Sequence, residues 1–466
     1  MIIIKKKEFY ISKENYCILS LKSTLKKYVI KMSETSKFRV GQTFTIGLAF
    51  FSSEIAWSLY NAQVPLLLSD YFSSLFVIGL LMALDNMIGV IIQPIMGSIS
   101  DNTRTKFGRR MPYLIVGIPL GALFFFLIPT QTSIIMLLIY MFFFGLSMGF
   151  YRAQAVSLMP DFVRPVNRSK GNAIINLMGG LGVAIGYGFS ILLGIITLQL
   201  MFLIISIIMV VALLVLLWRI KEKDSYSYQL ILEMEGKEGE KVKEEKITPG
   251  LIESIKDIAS EEDRSTLFML LAIFCWFIGY QGIVALISIY GVQVLGYSEG
   301  LAGFLPFIVT VPLLISIYPL SYLPGKIGRR KTIKIGVILW TVMLIVGFFM
   351  GLAQVQLYIM AIPLALLGIG WAMINTNSIV IVWELAPSEK KIGTYTGLYY
   401  FFSYFAAILG PMVVGGLTDL MGIPFLLLNG AIFFILAFIM MMFVKRGEVE
   451  LTEEEKLARQ KKIQEL

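Results

Sequence analysis

Four ionisable side chains lie in or at the ends of long apolar runs of this sequence: Glu54, Asp85, Arg152 and Glu384. A charge at the centre of a bilayer costs about 2.5 to 3.5 kcal/mol even on the mild insertion scale, so such residues usually serve a function or form a structural ion pair. The sequence contains no histidine, the side chain that ordinarily titrates near neutral pH. Any proton binding within the membrane would therefore fall to a carboxylate.

The first of these carboxylates belongs to a polar stripe. Glu54, Trp57, Ser58 and Asn61 recur at intervals of three and four residues, which places them on one face of a helix. A polar face on an apolar helix avoids lipid, so it either lines a cavity or joins a dry network between helices. We expect this face to line a cavity, with Glu54 as the leading candidate for binding a coupling proton.

Asp85 and Arg152 are the other candidates for chemistry in the first half. Asp85 is the alternative seat for a coupling cation, because hard cations such as sodium prefer oxygen ligands. Arg152 lies beside Tyr151 and close to Gln154. A buried guanidinium needs a carboxylate partner or a hydroxyl-rich ligand, and Glu54 or Asp85 is available as its counter-charge. We expect Arg152 to bind the substrate, with Tyr151 and Gln154 in the same site.

An internal repeat relates the two halves of the chain. One offset, 223 residues, connects three pairs of landmarks: Leu48-Ala-Phe-Phe with Leu271-Ala-Ile-Phe, Gly145 with Gly368, and Asp161 with Glu384. A constant spacing across several landmarks indicates duplicated halves. Such repeats are typical of transporters that bind their substrate between two related bundles.

The repeat also identifies candidate residues in the second half. It maps Trp57 onto Tyr280, Ser58 onto Gln281 and Arg152 onto Asn375. Trp371 lies on the same helix face as Asn375. Rings with amide and guanidinium donors suit a neutral polyhydroxylated ligand, whose C–H faces stack on aromatic planes while its hydroxyls need hydrogen-bond partners. The alternative is that these residues only join neighbouring helices.

Length and composition indicate how these residues are positioned. The chain has 466 residues, of which 57% are hydrophobic, and its mean hydropathy is +0.78. These values predict a polytopic membrane protein. Runs of about 20 apolar residues predict twelve transmembrane helices. The predicted spans are residues 44–67, 75–99, 112–130, 133–158, 170–195, 199–218, 266–292, 299–322, 332–352, 357–383, 391–417 and 424–444.

The predicted fold is all-α, with twelve transmembrane helices in two pseudo-symmetric six-helix bundles. The bundles cover residues 41–218 and 266–446, joined by a Lys/Glu-rich linker at residues 219–265 that we expect to be a solvated tether with at most some surface helix. Residues 1–40 form a tail in which Met32 is a candidate for the true start, and residues 447–466 form a second tail. Lys and Arg are absent from six alternate loops, so the positive-inside rule places both termini in the cytoplasm of a plasma or inner membrane.

A basic loop lies between the second and third spans and is repeated in reduced form in the second half. The loop contains Gly97, Asp101, Gly108, Arg109 and Arg110, and the repeat is Gly328-Arg329-Arg330-Lys331. We expect Arg109 or Arg110 to pair with Asp161, and Arg329 or Arg330 to pair with Glu384, as a cytoplasmic gate. Asp101 should contact the N-terminal end of the eleventh helix, where a carboxylate meets the positive end of the helix dipole.

The stretch Gly97 to Pro112 resembles the loop between helices 2 and 3 of the major facilitator superfamily. Its form, Ser-Asp101 followed by Phe-Gly108-Arg109-Arg110-Met-Pro112, is similar to the sucrose transporter branch related to the glycoside-pentoside-hexuronide:cation symporters. The resemblance implies a sugar contact for the Arg in Tyr-Arg152-Ala and a cation-binding role for the helix 2 carboxylate Asp85. The chain departs from the branch at Asn102 and Met111, where Arg is usual, and at Met141, where plant carriers have an acidic residue.

We therefore expect a secondary active transporter that imports a sugar or glycoside, with a mono- or disaccharide as substrate and a proton, or alternatively sodium, as the coupling cation. A drug or metabolite exporter of the same fold is the first alternative, favoured by a mostly apolar cavity. A non-transporting membrane receptor is the second, and the polar central stripe argues against it. The sequence shows no phosphate-binding Gly-Lys-Ser/Thr loop, no catalytic triad pattern and no metal-ligand cluster, so we expect neither an enzyme nor a cofactor.

Overall fold

Twelve long helices, α1–α12, make up most of the computed structural model, which describes residues 38–164, 167–235, 263–387 and 391–448. The first six are Val40–Ser69, Leu75–Asp101, Met111–Leu127, Ile134–Phe162, Arg168–Phe189 and Leu198–Arg219. The last six are Ser265–Gln293, Glu299–Leu320, Arg329–Leu352, Leu357–Leu385, Ile392–Met421 and Leu426–Phe443. Their bounds lie close to the predicted spans, and the chain has the predicted fold of two six-helix halves.

Within the described ranges, eleven of these helices are long and apolar enough to cross a membrane, and α1 is the exception. The difference lies in the polar residues of α1, among them Glu54, Ser58, Asn61 and Gln63. Ser58 and Gln63 are almost fully buried. Helix α1 tolerates this polarity because it packs on α5, α6 and α7 rather than on lipid.

The two ends of the molecule differ in charge. We call the end with the Gly108-Arg109-Arg110 and Gly328-Arg329-Arg330 loops the basic end, and the opposite end, whose loops carry no Lys or Arg, the neutral end. At the neutral end the side chains of Ser74, Ser133, Thr197 and Ser298 cap α2, α4, α6 and α8 by accepting a backbone N–H. These caps satisfy amide groups that would otherwise lack a partner where the chain turns back into the membrane.

The halves meet mainly through α2 with α11 and through α5 with α8. The tight contacts lie near the neutral end: Gly79 and Gly415 face the backbone of Pro411 and Leu75, and Gly300 faces Ser190 and Leu193. Towards the basic end, a Cβ added at Gly393 or Gly397 of α11 would meet no atom within 4 Å. The structure is therefore closed at the neutral end and open at the basic end.

Candidate transport site

Two neighbouring chambers lie between the halves at mid-depth. The first, with a volume of about 340 Å³, is lined mostly by apolar side chains of the C-terminal half, and we call it the apolar chamber. The second, with a volume of about 230 Å³, lies against α2 and α4, and we call it the polar chamber. Four polar or aromatic residues line both chambers: Glu54, Trp57, Asn61 and Gln281. These four residues mark the junction at which a single ligand could reach both chambers.

The polar stripe of α1 lines these chambers. Glu54, Trp57 and Asn61 line both, and Ser58 lines the apolar chamber. The rotation of α1 follows from its packing on a glycine-rich segment of α5: a Cβ at Gly182 would meet the backbone of Phe51 and Ile55, and one at Gly186 would meet the side chain of Ser58. Small residues permit this close backbone approach, which leaves the free part of the stripe facing the chambers.

Arg152 and Glu54 form an ion pair at the junction. An Nη2 atom of Arg152 donates to Oε1 of Glu54 at 3.0 Å, joining α4 to α1. The two side chains are 29% and 17% exposed, respectively. The guanidinium also lies over the ring of Phe50, 6.0 Å from its centroid. This contact engages one of the five N–H donors of Arg152, and the side chain keeps access to the polar chamber.

Asp85 lies in the polar chamber with Asn86, Gln93 and Tyr404. The Asn86 amide donates weakly to the carboxylate at 3.4 Å. Gly145 of α4 approaches the Cα atom of Asp85, where an added Cβ would lie 3.6 Å away. The chamber thus holds two carboxylates, those of Asp85 and Glu54, with one guanidinium. The arrangement suits a hydroxyl-bearing ligand and a small cation together.

The C-terminal half supplies an aromatic wall. The ring of Tyr280 stacks on that of Trp371 with centroids 4.0 Å apart and planes 5° apart, and Trp340 lies 5.6 Å from both ring centroids. Tyr280, Gln281 and Trp340 line the apolar chamber, whereas Trp371 supports Tyr280 from behind. The rest of the C-terminal lining is chiefly Ile, Leu, Val, Pro and Met. The expected set of amide groups from this half is therefore reduced to Gln281.

Besides Trp371, three predicted substrate-binding residues line neither chamber. Tyr151 is fully buried against Gly117 of α3, and its hydroxyl contacts Met148. The amide of Gln154 donates to the carbonyl of Met96 on α2 at 2.7 Å. Asn375 is exposed and lines neither chamber. Adjacent positions on α4 point in different directions, so only Arg152 of the Tyr-Arg-Ala segment faces the ligand space.

The basic end of the N-terminal half contains a buried ion network. Nη2 of Arg109 lies 2.5 Å from Oδ1 of Asp161, and Nε of Arg110 lies 3.4 Å from Oδ2 of the same carboxylate. Arg110 also reaches Asp101 at 2.5 Å. Arg109, Arg110 and Asp161 are each about 5–6% exposed, so the ion pairs are almost fully buried. The predicted pairing with Asp161 is present, and both arginines share it.

The C-terminal half has the corresponding pair in a wetter setting. Nη1 of Arg329 lies 3.0 Å from Oε1 of Glu384, with side-chain exposures of 24% and 37%. Arg330 instead pairs with Glu448 at 3.4 Å. Exposed pairs of this kind are worth about 0–1 kcal/mol each. The predicted contact of Arg329 with Glu384 is present, and its role in gating stays a prediction.

Asp101 does not reach the eleventh helix in this structure. Its side chain is 57% exposed and pairs with Arg110, with Arg109 lying 3.8 Å away. The expected contact with α11 is therefore wrong for this conformation. The physical reason is that the basic end is open, so the N-terminal turn of α11 around Gly393 faces free space.

Two carboxylates that the sequence analysis missed cap helices at the basic end. Glu222 accepts the backbone N–H groups of Arg109, Arg110 and Met111 at 2.8–2.9 Å, at the start of α3. Glu448 accepts those of Arg329 and Arg330 at 2.9 and 2.8 Å, at the start of α9. A carboxylate is favourable at a helix N-terminus. Each of these two carboxylates comes shortly after the last helix of its half. This shared position is the signal in the sequence that could have identified them.

The beginning of the linker is correspondingly part of the first half. Ile220, Glu222, Ser225 and Tyr228 are all at most 5% exposed, and a short helix, Tyr226–Glu235, packs on α4. The linker therefore begins as an anchored segment, in which Glu222 is held by the amide groups of the basic loop, and the short helix that follows is the surface helix that the sequence allowed for. The rest of the linker, residues 1–37 with the candidate start Met32, and the tail beyond Glu448 lie outside the described residues.

The family comparison agrees with this architecture. The family model of the Major Facilitator Superfamily matches residues 46–387 and 295–465, so the chain belongs to that superfamily. It is a membrane transporter rather than an enzyme by class. No curated protein matches the sequence. Among the described residues, no group of acidic residues and cysteines could hold a metal ion.

Solved structures share the fold at low sequence identity. A mutant of the nucleoside transporter NupG superposes with a TM-score of 0.67 at 12% identity, covering 87% of this chain and 100% of that one. The POT family transporter PepTSo gives a TM-score of 0.64 at 14% identity, with 88% of this chain and 98% of that one covered. A bacterial homologue of the iron transporter ferroportin, in an inward-facing state, gives 0.61 at 14%, with 88% and 100% covered. These likenesses establish the fold and leave the substrate open.

Proposed function

We propose that this protein is a cation-coupled secondary transporter that imports a sugar or glycoside by alternating access. The observation that carries the proposal is the Arg152–Glu54 ion pair at the junction of a polar and an apolar chamber. It joins a candidate substrate donor directly to a candidate proton acceptor. The resemblance of the basic loop to the sucrose transporter branch supports the same substrate class.

A glycoside matches the two chambers by its chemistry. Its sugar hydroxyls would take the free N–H donors of Arg152 and the amides of Asn61 and Gln281, while its C–H face or apolar aglycone would lie against Tyr280. Pockets that bury small molecules are mostly apolar with a few placed polar groups, and the apolar chamber fits that description. A monosaccharide alone would leave this chamber unfilled, so a disaccharide or an aryl or alkyl glycoside is the preferred substrate.

Coupling follows from competition for Arg152. When a substrate hydroxyl draws the guanidinium away, the Glu54 carboxylate loses its counter-charge and is left to take the coupling proton in its place. Substrate and proton then each favour binding of the other, as linkage requires. Asp85 is the alternative seat, particularly for sodium, because it lies in the same chamber with the side-chain oxygens of Asn86 and Gln93 nearby.

The direction of transport depends on the membrane orientation. We assign the basic end to the cytoplasm because Lys and Arg are retained on that side of a cell membrane. The structure is then inward-open, with its neutral end closed towards the outside. Import requires the neutral end to open, load substrate and cation, and close again.

A metabolite or drug exporter is the second candidate, and one observation favours it. The lining that the C-terminal half gives to the apolar chamber is almost wholly aliphatic and aromatic, which suits hydrophobic organic molecules as well as aglycones. The Arg152–Glu54 pair favours import of a polar substrate over export of a hydrophobic one. Export and import differ in the sign of the cation gradient that drives accumulation.

Reconstituted protein in liposomes distinguishes these functions. Labelled sucrose, maltose, glucose and an aryl glucoside are offered under an inward proton gradient, an inward sodium gradient or neither. The proposal expects accumulation of a disaccharide or glycoside above its external concentration under one inward cation gradient, and no accumulation without one. Loss of preloaded hydrophobic dye under the same gradient, with no uptake of any saccharide, would establish the exporter instead.

A further inference from the structure

Asp419 joins the two halves at the neutral end. Its Oδ1 atom accepts the backbone N–H of Leu75 at 2.7 Å. Its Oδ2 atom accepts the hydroxyl of Ser74 at 2.6 Å and the backbone N–H of Phe76 at 3.0 Å. Asp419 belongs to α11, whereas Ser74 is the N-cap of α2 and Leu75 and Phe76 are its first residues. One carboxylate of the C-terminal half therefore caps a helix of the N-terminal half.

The helices are packed closely around this cap. A Cβ at Gly79 would collide with the backbone of Pro411, and one at Gly415 would collide with the backbone of Leu75. The carboxylate reaches the helix start only because these glycines let α2 and α11 approach backbone to backbone. A negative charge at this position also meets the positive end of the α2 dipole. Separation of the halves at the neutral end would break all three hydrogen bonds together.

Helices α2 and α11 run in opposite directions, and each carries an aspartate near its C-terminal end. Asp101 is the last residue of α2, at the basic end, and Asp419 lies two residues before the last residue of α11, at the neutral end. In this structure Asp419 caps its partner helix, whereas the start of α11 near Gly393 is uncapped by Asp101. Within the part of the chain that the structure describes, Asp419 thus caps a helix of the other half at the closed end, and Asp101 forms no such cap at the open end.

We propose that Asp419 is a releasable clasp that holds the neutral end closed and so sets the balance between inward-open and outward-open molecules. The clasp is weak enough to release, because the Asp419 side chain is solvent-exposed and water competes for its hydrogen bonds. The closed neutral end also buries the amide nitrogen of Gln63 and the hydroxyl of Ser190 without hydrogen-bond partners among the described residues. Opening would hydrate both groups, so loss of the clasp should shift the population readily.

Two cysteine reporters measure that shift in a background with Cys17→Ser and Cys275→Ser. Ser190→Cys is a near-isosteric change at a fully buried position where α5 meets α8 near the neutral end. Gly397→Cys lies on the open face of α11, one and two turns from Tyr400 and Tyr404, and a Cβ there meets no neighbour. A membrane-impermeant maleimide is applied to right-side-out vesicles for Ser190→Cys and to inside-out vesicles for Gly397→Cys.

The perturbation is Asp419→Asn, which keeps the shape and removes the charge and one acceptor. Asp70→Asn is the matched control, because Asp70 is an exposed carboxylate at the same end, after α1. We expect Asp419→Asn to raise labelling of Ser190→Cys from outside by about twofold to fivefold, the size of effect that an exposed carboxylate at a helix N-terminus exerts. Labelling of Gly397→Cys from inside should fall, and Asp70→Asn should change neither rate.

Several results would overturn the clasp. One is that both reporters are labelled in Asp419→Asn as in the parent while the protein remains monodisperse in detergent. Another is that Asp70→Asn changes the labelling as much as Asp419→Asn does. Labelling of Ser190→Cys from outside must be higher with Asp419→Ala, which removes all three hydrogen bonds, than with Asp419→Asn. With Ser74→Ala, which removes one of the three, it must be lower than with Asp419→Ala. The readout requires no substrate, so it stands apart from the proposed function. If the orientation is reversed, the parent Gly397→Cys reacts from outside instead.

Discussion

Replacing Arg152 with lysine tests the polar chamber at its most informative position. Arginine presents five N–H donors in a rigid fork, and Nη2 of Arg152 lies 3.0 Å from Oε1 of Glu54. The remaining donors are available for the hydroxyls of a ligand in the polar chamber. Lysine presents a single ammonium, which would be occupied by Glu54 and could not span a pair of vicinal hydroxyls. The charge is conserved, so the substitution isolates the geometry of the donor.

The expected size of the effect follows from the hydrogen bonds lost. About two charge-assisted hydrogen bonds to substrate disappear, each worth about 1.5–3 kcal/mol. Because the Arg152 side chain is 29% exposed, we take the lower value for each bond. The loss is then about 3 kcal/mol, which corresponds to a roughly 100-fold weaker substrate affinity. Saturable uptake should vanish at substrate concentrations that saturate the wild-type protein.

The assay compares labelled glycoside uptake in proteoliposomes with the quantity of folded protein in the same membranes. Arg219→Lys is the matched control, since Arg219 is an exposed arginine at the basic end of α6 and lines neither chamber. Arg219→Lys should retain wild-type affinity. Wild-type affinity in Arg152→Lys would remove Arg152 from the substrate site and refute the assignment of the polar chamber.

Three further predictions concern coupling, specificity and the basic end. Glu54→Gln should abolish accumulation against a gradient while equilibrium exchange of sugar remains measurable; if uphill uptake survives there but is lost in Asp85→Asn, Asp85 is the coupling site. Tyr280→Ala should weaken binding of an aryl glucoside about tenfold more than binding of glucose in competition assays, because an aromatic stacking partner is worth about 0.5–1.5 kcal/mol beyond its buried area; equal losses would contradict the apolar subsite. Burial raises the pKa of Glu222 above its ordinary value, more than its three amide donors lower it. The folded state therefore binds a proton that the unfolded state releases between the ordinary and the raised pKa, and the stability that Glu222 gives relative to Glu222→Gln should fall as pH rises through that interval. Thermal unfolding of both proteins in detergent from pH 4 to 8 measures this difference, and a rise with pH would contradict it.

The sequence by itself determined the elements and their order. Apolar runs long enough to cross the membrane could only be helices, because a lipid-exposed backbone must satisfy its hydrogen bonds within the segment. The positions of charged loops fixed where the helices end. The intervals between Glu54, Trp57, Ser58 and Asn61 placed them on one face, since helical periodicity is a local property. Pairing of the basic loops with Asp161 and Glu384 also followed, because the repeat put each carboxylate at the corresponding helix end.

Tertiary packing decided which faces meet. Periodicity gives the residues that share a face but not the direction in which that face is turned, so Tyr151 and Gln154 were grouped with Arg152 although they pack against α3 and α2. The glycine contacts of α5 set the rotation of α1, and those of α2 and α11 brought Asp419 to the start of another helix. Such contacts join residues that lie about 130 positions apart between α1 and α5 and more than 300 apart between α2 and α11, and no local pattern in the sequence specifies them.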